Sequence, residues 1–256
     1  MSVKAEVKKM SKHDNSKSDN IISPDHFLFI LSEYDSLAAE SIRALRTNLI
    51  LRDFEKKIKI INITSVTPSE GKTTVLVNLA AAFTQLNKKV LLIDCDLRLP
   101  DVHKKLGLRN KYGIVDVVSN FKSFDETVYH YMDNFDVLTT GTDIPFASEF
   151  IQSAALRRFI ESCRLKYDYI FIDCSPIAYI SDAHVISKFS DGTLMIVAVD
   201  SDNRQDLKEV NEQLHELDIN ILGLVMTKIP LDKYPYSYAS RYKYNYYRGE
   251  KMKVND

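Results

Sequence analysis

The sequence predicts a doubly wound α/β domain with a mostly parallel sheet and helices on both faces. Three observations carry that expectation. Short β-branched runs alternate with helical patterns along the chain, apolar runs end in aspartate, and the first run leads through a Gly-Lys-Thr turn into an alanine-rich helix.

Taken in order, residues 1–22 are polar and rich in Lys, Ser, Asp and Asn. They offer too little apolar area to offset the entropy of ordering, and disorder is expected there. From 23 to 54 a helical arm is expected, where Ser36, Leu37, Ala38 and Ala39 lead into a stretch whose charges recur at helical spacing. KIKIINITS (57–65) reads as a strand and 71–86 as a buried helix, followed by a second strand, KKVLLIDCD (88–96). Further strands are expected at 135–140, 167–173, 192–200 and 220–228, with helices near 146–165, 182–188 and 203–217. Such alternation implies right-handed crossovers between parallel strands. With no internal repeat visible, 55–230 reads as one domain, followed by a tail at 231–256.

That tail holds KYPYSYASRYKYNYYRGEK (233–251), with seven of the fourteen tyrosines: Tyr234, Tyr236, Tyr238, Tyr242, Tyr244, Tyr246 and Tyr247. Mixed with Pro, Ser, Asn, Gly and mostly basic charge, the stretch as a whole keeps neither the period of a half-buried strand nor that of a helix. A flexible tail is expected.

Bulk composition narrows the class. A chain of 256 residues, 45% hydrophobic and 27% charged, can bury a large core. A net charge of −1 argues against a nucleic-acid binder, and no apolar run approaches the ~20 residues that cross a bilayer. The polar opening lacks an apolar signal core, so a cytoplasmic location is expected. Cys95, Cys163 and Cys174 lack CxxC spacing and read as small buried side chains.

The chemistry concentrates after the first strand, in SVTPSEGKTT (65–74). Gly71, Lys72 and Thr73 supply the GK[ST] half of a P-loop: backbone N–H groups face phosphates, the lysine reaches β/γ oxygens, and the hydroxyl ligates magnesium. Ser69, Glu70, Gly71, Lys72, Thr73 and Thr74 are therefore the expected nucleotide cradle, at the positive end of the following helix. Val66 stands where the full GxxxxGK[ST] pattern has its first glycine. Taken alone, GKT after a turn is weak evidence; here the strand before it and the helix after it supply the required context. Asp94, Asp96 and Asp173 lie at strand ends, where ligands gather in open parallel sheets. One such aspartate alone could be a helix cap. Three beside a P-loop read better as a site for magnesium and nucleophile activation.

These residues resemble the bacterial protein-tyrosine kinases of capsule and exopolysaccharide synthesis, P-loop proteins related to the cell-division ATPase MinD. The resemblance covers about 36–250 and rests on GKTT, LLIDCDLR, YIFIDCSP, ESIRALR and the terminal tyrosines. It implies an ATP- and Mg²⁺-dependent kinase that phosphorylates its own tail tyrosines, in trans within a ring. By resemblance, Lys72 holds phosphates, Thr73, Asp94 and Asp173 place the metal, and Asp94 or Asp96 takes the phenol proton, with Asp94 favoured. Arg98 is expected near the phosphates or the entering substrate, a surface ion pair being the plainer alternative. Glu40, Arg43 and Arg46 form the E-x-x-R-x-x-R stripe implied to join subunits, although such spacing alone is an ordinary solvated helix face.

The resemblance further implies a transmembrane activator that regulates polysaccharide chain length and recruits the kinase to the inner membrane face, and a cognate phosphotyrosine phosphatase. Some positions depart from the family pattern. Cys174 and Ser175 follow Asp173 where Thr-Pro is usual, Thr227 replaces a common asparagine, and TDIPFASEF (142–150) replaces a PNPSEL stretch. The loop also lacks the second lysine of MinD-like ATPases. The competing reading is a MinD/ParA-like switch ATPase acting on a partner or membrane surface.

Overall fold

The computed structural model describes residues 27–53, 58–199 and 204–230. The segment expected to be disordered (1–22) and the tyrosine tail (231–256) lie outside them. Seven strands form one sheet: β1 (Ile60–Ser65), β2 (Val90–Asp94), β3 (Tyr129–Met132), β4 (Phe135–Leu138), β5 (Tyr169–Asp173), β6 (Gly192–Ala198) and β7 (Ile221–Thr227). Their order is β3-β4-β2-β5-β1-β6-β7. Every pairing is parallel except β3 with β4. That hairpin turns at Asp133 and Asn134, Asn134 taking φ 62°, a left-handed conformation that asparagine tolerates.

The helices are α1 (Phe29–Ser32), α2 (Leu37–Arg52), α3 (Lys72–Thr84), α4 (Val102–Leu106), α5 (Ile114–Val118), α6 (Phe124–Thr127), α7 (Ala147–Ile151), α8 (Ala154–Cys163), α9 (Asp182–Phe189) and α10 (Arg204–Glu216). Alternate strand residues feed two apolar layers. Ile61, Ile63, Leu92 and Phe171 meet α1, α2 and α3 on one face. Ile60, Leu91, Ile93 and Ile172 meet α8, α9 and α10 on the other. Phe83 of α3 packs with ring centroids 4.4 Å from Tyr169 and 5.4 Å from Phe171, and truncating it to alanine costs about 3–5 kcal/mol.

Of the helical arm expected over 23–54, the described residues form α1 and α2, which pack against α3. Ser36 caps α2 by accepting from Ala39 N, and Ala39, Ile42 and Leu49 are buried along it. Fully buried Asn78 of α3 latches the segment before it: Oδ1 accepts from Ile30 N at 3.0 Å and Nδ2 donates to Phe27 O at 2.6 Å. The single helix expected near 146–165 breaks into α7 and α8, because Ser153 accepts from Leu156 N and starts a new helix. Strand β3 and the short helices α4, α5 and α6 were not foreseen. All three cysteines are buried and free, as expected.

Candidate active site

The loop between β1 and α3 owes its shape to a few long-range ties. Gly71 adopts φ 87°, where a Cβ is strained, and Ser69 adopts φ 64°. Val66 needs no glycine, because it extends β1: its N–H donates to Ile196 O at 3.3 Å and its carbonyl accepts from Ala178 N at 3.2 Å. Glu70 points its side chain away from a nucleotide role. Oε2 accepts from Thr67 N at 3.0 Å and Oε1 from Ala198 N at 3.3 Å, so this carboxylate braces the loop against β6. Thr227, at the end of β7, donates to Glu70 O at 2.6 Å and completes the brace. The N-terminus of α3 therefore opens at the carboxyl ends of the strands, presenting the N–H groups that the first turn of any helix leaves unpaired.

Lys72 and Thr73 project from that turn into a buried acidic centre. Asp94 and Asp173 lie side by side in register on β2 and β5. Lys72 Nζ sits 2.6 Å from Asp173 Oδ1 and 3.4 Å from Asp96 Oδ2, while Thr73 Oγ1 donates to Asp173 Oδ2 at 2.9 Å. Asp94 accepts from Asp96 N at 3.1 Å and Val102 N at 3.2 Å. Asp96 Oδ1 accepts from Ser175 Oγ at 2.9 Å and Leu99 N at 3.2 Å. Ser175, one of the departures from the family pattern, thus orients an aspartate of the site.

Charge follows from this geometry. Burial works against the Lys72 ammonium, but Asp173 and Asp96 outweigh it and hold its pKa above the ordinary lysine value. Burial, then the neighbouring Asp173 charge, pushes Asp94 well above the usual carboxylate range. Burial also raises Asp173, opposed by Lys72 and the Thr73 hydroxyl. Among the described residues no group of three or more His, Cys, Asp or Glu is arranged to hold a metal alone.

The structure thus brings Gly71, Lys72, Thr73, Asp94, Asp96 and Asp173 together. Arg98 is engaged elsewhere: its Nε donates to Asp182 Oδ2 at 3.3 Å and its Nη2 to Ser148 Oγ at 2.7 Å. The plainer alternative, an ion pair with Asp182, is thus present. Glu40 and Arg43 pair at 2.7 Å within α2, and Arg46 Nη1 donates to Ala82 O near the end of α3 at 2.6 Å. The seven tail tyrosines lie outside the described residues. Sequence reading missed the roles of Asn78, Glu70 and Thr227; an asparagine inside an otherwise apolar helix was the one signal available.

An AAA domain family matches residues 58–231. Tyrosine-protein kinase YwqD of Bacillus subtilis (strain 168) is 32% identical over 205 residues, spanning 80% of this chain and 86% of that protein. This chain belongs to the bacterial tyrosine-protein kinases. The kinase domain of the Escherichia coli tyrosine kinase ETK superposes with TM-score 0.74 at 28% identity, covering 88% of each chain. The chimerical protein CapA2B2 does so with TM-score 0.77 at 28% identity, over 80% of this chain and 91% of its own. The chain is accordingly a protein-tyrosine kinase on a P-loop fold, and that fold implies the use of a nucleotide. Among the described residues of this kinase, no helix is long and apolar enough to cross a membrane.

Proposed function

We propose that this kinase transfers the terminal phosphoryl group of ATP to its own C-terminal tyrosines, in trans within a ring of identical subunits. In this reading it regulates capsular or exopolysaccharide synthesis together with a transmembrane activator that recruits it to the membrane. A cognate phosphatase resets the tail. The observation that carries the reading is the buried contact of Lys72 and Thr73 with Asp173, beside Asp94 and Asp96. It places a cation, a hydroxyl and three carboxylates at one helix N-terminus.

Phosphoryl transfer depends chiefly on alignment and on neutralising charge, and this donor set provides both. Gly71 and the first turn of α3 bind the phosphates, and Lys72 brings its fixed charge to the β/γ oxygens. Thr73, Asp173 and Asp94 are the residues that would hold Mg²⁺; a hydroxyl with carboxylates is a donor set that hard cation accepts. When bound, the metal supplies positive charge to the transferred group. One carboxylate at the end of β2, Asp94 or Asp96 with Asp94 favoured, receives the phenol proton; until it is removed, a tyrosine of pKa about 10 is a poor nucleophile. For the ring, the reading rests on the Glu40, Arg43 and Arg46 stripe along α2.

The test is to incubate the chain with ATP, Mg²⁺ and the activator's cytoplasmic fragment and map phosphate by mass spectrometry. Phosphotyrosine is expected mainly at 234–247, and lost in Lys72→Met and in a variant with those seven tyrosines changed to phenylalanine. ATP hydrolysis without phosphotyrosine would instead favour a MinD/ParA-like switch.

A further inference from the structure

The sheet ends at β7, and only the start of that strand is closed on its outer side. There Arg52 Nη1 donates to Ile221 O at 3.1 Å and to Leu222 O. Beyond this cap the edge is open. Thr227 O accepts from Val199 N at 3.0 Å and so faces β6. In a parallel ladder the N–H and C=O of one residue point to the same side and those of the next residue to the other. The backbone groups of Leu224 and Met226 therefore face away from β6, and among the described residues no strand pairs with them. Their side chains are bare too, Leu224 being 56% and Met226 65% exposed. Register with Met195 and Val197 sets them on the sheet face that α10 covers elsewhere through Val210 and Leu214. An edge with unpaired backbone groups and uncovered apolar side chains is a template for one more strand.

We propose that this edge docks residues 234–238 of the same chain as an added antiparallel strand, with Tyr236 packed on Met226 and Tyr238 on Leu224.

The connection, the phase of the tyrosines and the place of a proline name that segment as the occupant. β7 ends at Thr227, and Lys228 takes φ 51°, a turn conformation. With 229–233 as the loop, a five-residue length usual for hairpins, Tyr234, Tyr236 and Tyr238 fall opposite Lys228, Met226 and Leu224. The strand then stops short of the residues that Arg52 caps. Although 233–251 as a whole lacks a strand period, its first three tyrosines alternate. Directly opposed residues share a face, so all three rings lie on the side of Leu224 and Met226. A residue opposite Met226 also turns its own N–H and C=O toward it. Pro235, without an N–H, consequently falls on the solvent side, where proline is tolerated and blocks any further strand. Charge agrees with this placement. α10, on the same face, carries Asp206, Glu209, Glu212 and Glu216 against Arg204 and Lys208, whereas the segment brings Lys233, Arg241 and Lys243.

The docking does not depend on the tail being a substrate; its consequence for phosphorylation rests on that reading. Docked rings are withheld from every active centre, while Tyr242, Tyr244, Tyr246 and Tyr247 stay free, so the second run is modified first. A phosphate on Tyr236 or Tyr238 adds up to about two negative charges against an apolar face beside an acidic helix, so phosphorylation and docking exclude each other.

NMR of the full chain labelled at its methionine methyl groups, without nucleotide or activator, tests the docking. A packed ring shifts the Met226 methyl resonance, which Met226→Leu assigns. Tyr236→Ser combined with Tyr238→Ser is expected to move that resonance, and Tyr244→Ser combined with Tyr246→Ser to leave it in place. It is expected to stay fixed on about tenfold dilution. Amides at 236–238 should exchange about tenfold more slowly than in a free peptide of 233–251. Leu224→Ser combined with Met226→Ser should abolish that protection while β1 and β2 exchange as in wild type. An identical Met226 resonance with and without Tyr236 and Tyr238 overturns the docking. So does a resonance that moves on dilution, which gives the edge to a second copy. In the phosphorylation assay, Tyr234, Tyr236 and Tyr238 should lag behind 242–247 in wild type and catch up in the Leu224→Ser, Met226→Ser variant. Equal rates in both overturn the ordering and leave the docking, and a tail that is never phosphorylated overturns the reading of it as substrate.

Discussion

Replacing Lys72 with methionine tests the acidic centre through stability as well as activity. Its ammonium is 2.6 Å from a fully buried Asp173 and 3.4 Å from Asp96. Removing one partner of a buried pair costs about 3–5 kcal/mol, because the other charge is left uncompensated. For a domain of this size that lowers Tm by roughly 10 °C. The carboxylates can relieve the penalty by taking up protons. Without Lys72 nothing comparable opposes burial, and the Asp173 pKa in the folded state climbs further above its unfolded value near 3.9. A carboxyl raised in this way costs stability as pH rises from the unfolded value. Lys72 itself, with its pKa raised, contributes fully throughout the range below its unfolded pKa of about 10.4. The deficit of Lys72→Met is therefore largest near pH 8 and shrinks toward about pH 5, by up to about 1.4 kcal/mol per pH unit for each proton taken up. Urea unfolding of both proteins across that range, without nucleotide or metal, measures it. A deficit under about 1 kcal/mol at the alkaline end, or one flat in pH, refutes the buried contact, whose loss should cost several times more.

Glu70→Ala removes acceptors for Thr67 N and Ala198 N; nucleotide affinity should fall about tenfold and stability by about 1–3 kcal/mol, read by titration calorimetry and thermal unfolding. Asn78→Ala frees the Ile30 N–H and the Phe27 and Thr74 carbonyls; a loss of about 2–3 kcal/mol is expected, with faster hydrogen exchange confined first to 27–32. Burial pushes Asp191 up, but bonds from Arg164 and from the Ile60 and Lys59 N–H groups outweigh it and hold its pKa below the ordinary value. Its contribution is present above the unfolded pKa near 3.9 and lost as pH falls through the folded one. Asp191→Ala should therefore cost about 2 kcal/mol at neutral pH, and the gap to wild type should close below about pH 4 in acid unfolding curves.

The legible parts of the site were those written in contiguous residues. The GKT turn and the strand-ending aspartates Asp94 and Asp173 announce themselves because a strand, a tight turn and a helix start are local events. Val66 looked like a defect in the loop; its pairing with Ile196 across the sheet shows why glycine is not needed there. Arg98 was expected near the phosphates or the entering substrate because it follows Asp94 and Asp96, with a surface ion pair as the plainer alternative. Its side-chain partners, Asp182 and Ser148, arrive from two other helices and could not be read locally. The hairpin strand β3 was overlooked because its residues are half-exposed and give little apolar alternation, although Asp133 and Asn134 supplied a turn signal.

By itself the sequence determined the layer architecture, the phosphate loop and the acidic residues at the strand ends, since hydrophobic period and backbone chemistry act over neighbouring positions. Only the tertiary structure decided which partners those residues take. Lys72 meets Asp173, 101 positions away, because the parallel register of β2 and β5 brings Asp94 and Asp173 abreast beneath the start of α3. Glu70 becomes a brace because β6 and β7 end beside it. Strand order and register are collective results of burying both faces of the sheet at once, and no local stretch of chain encodes them.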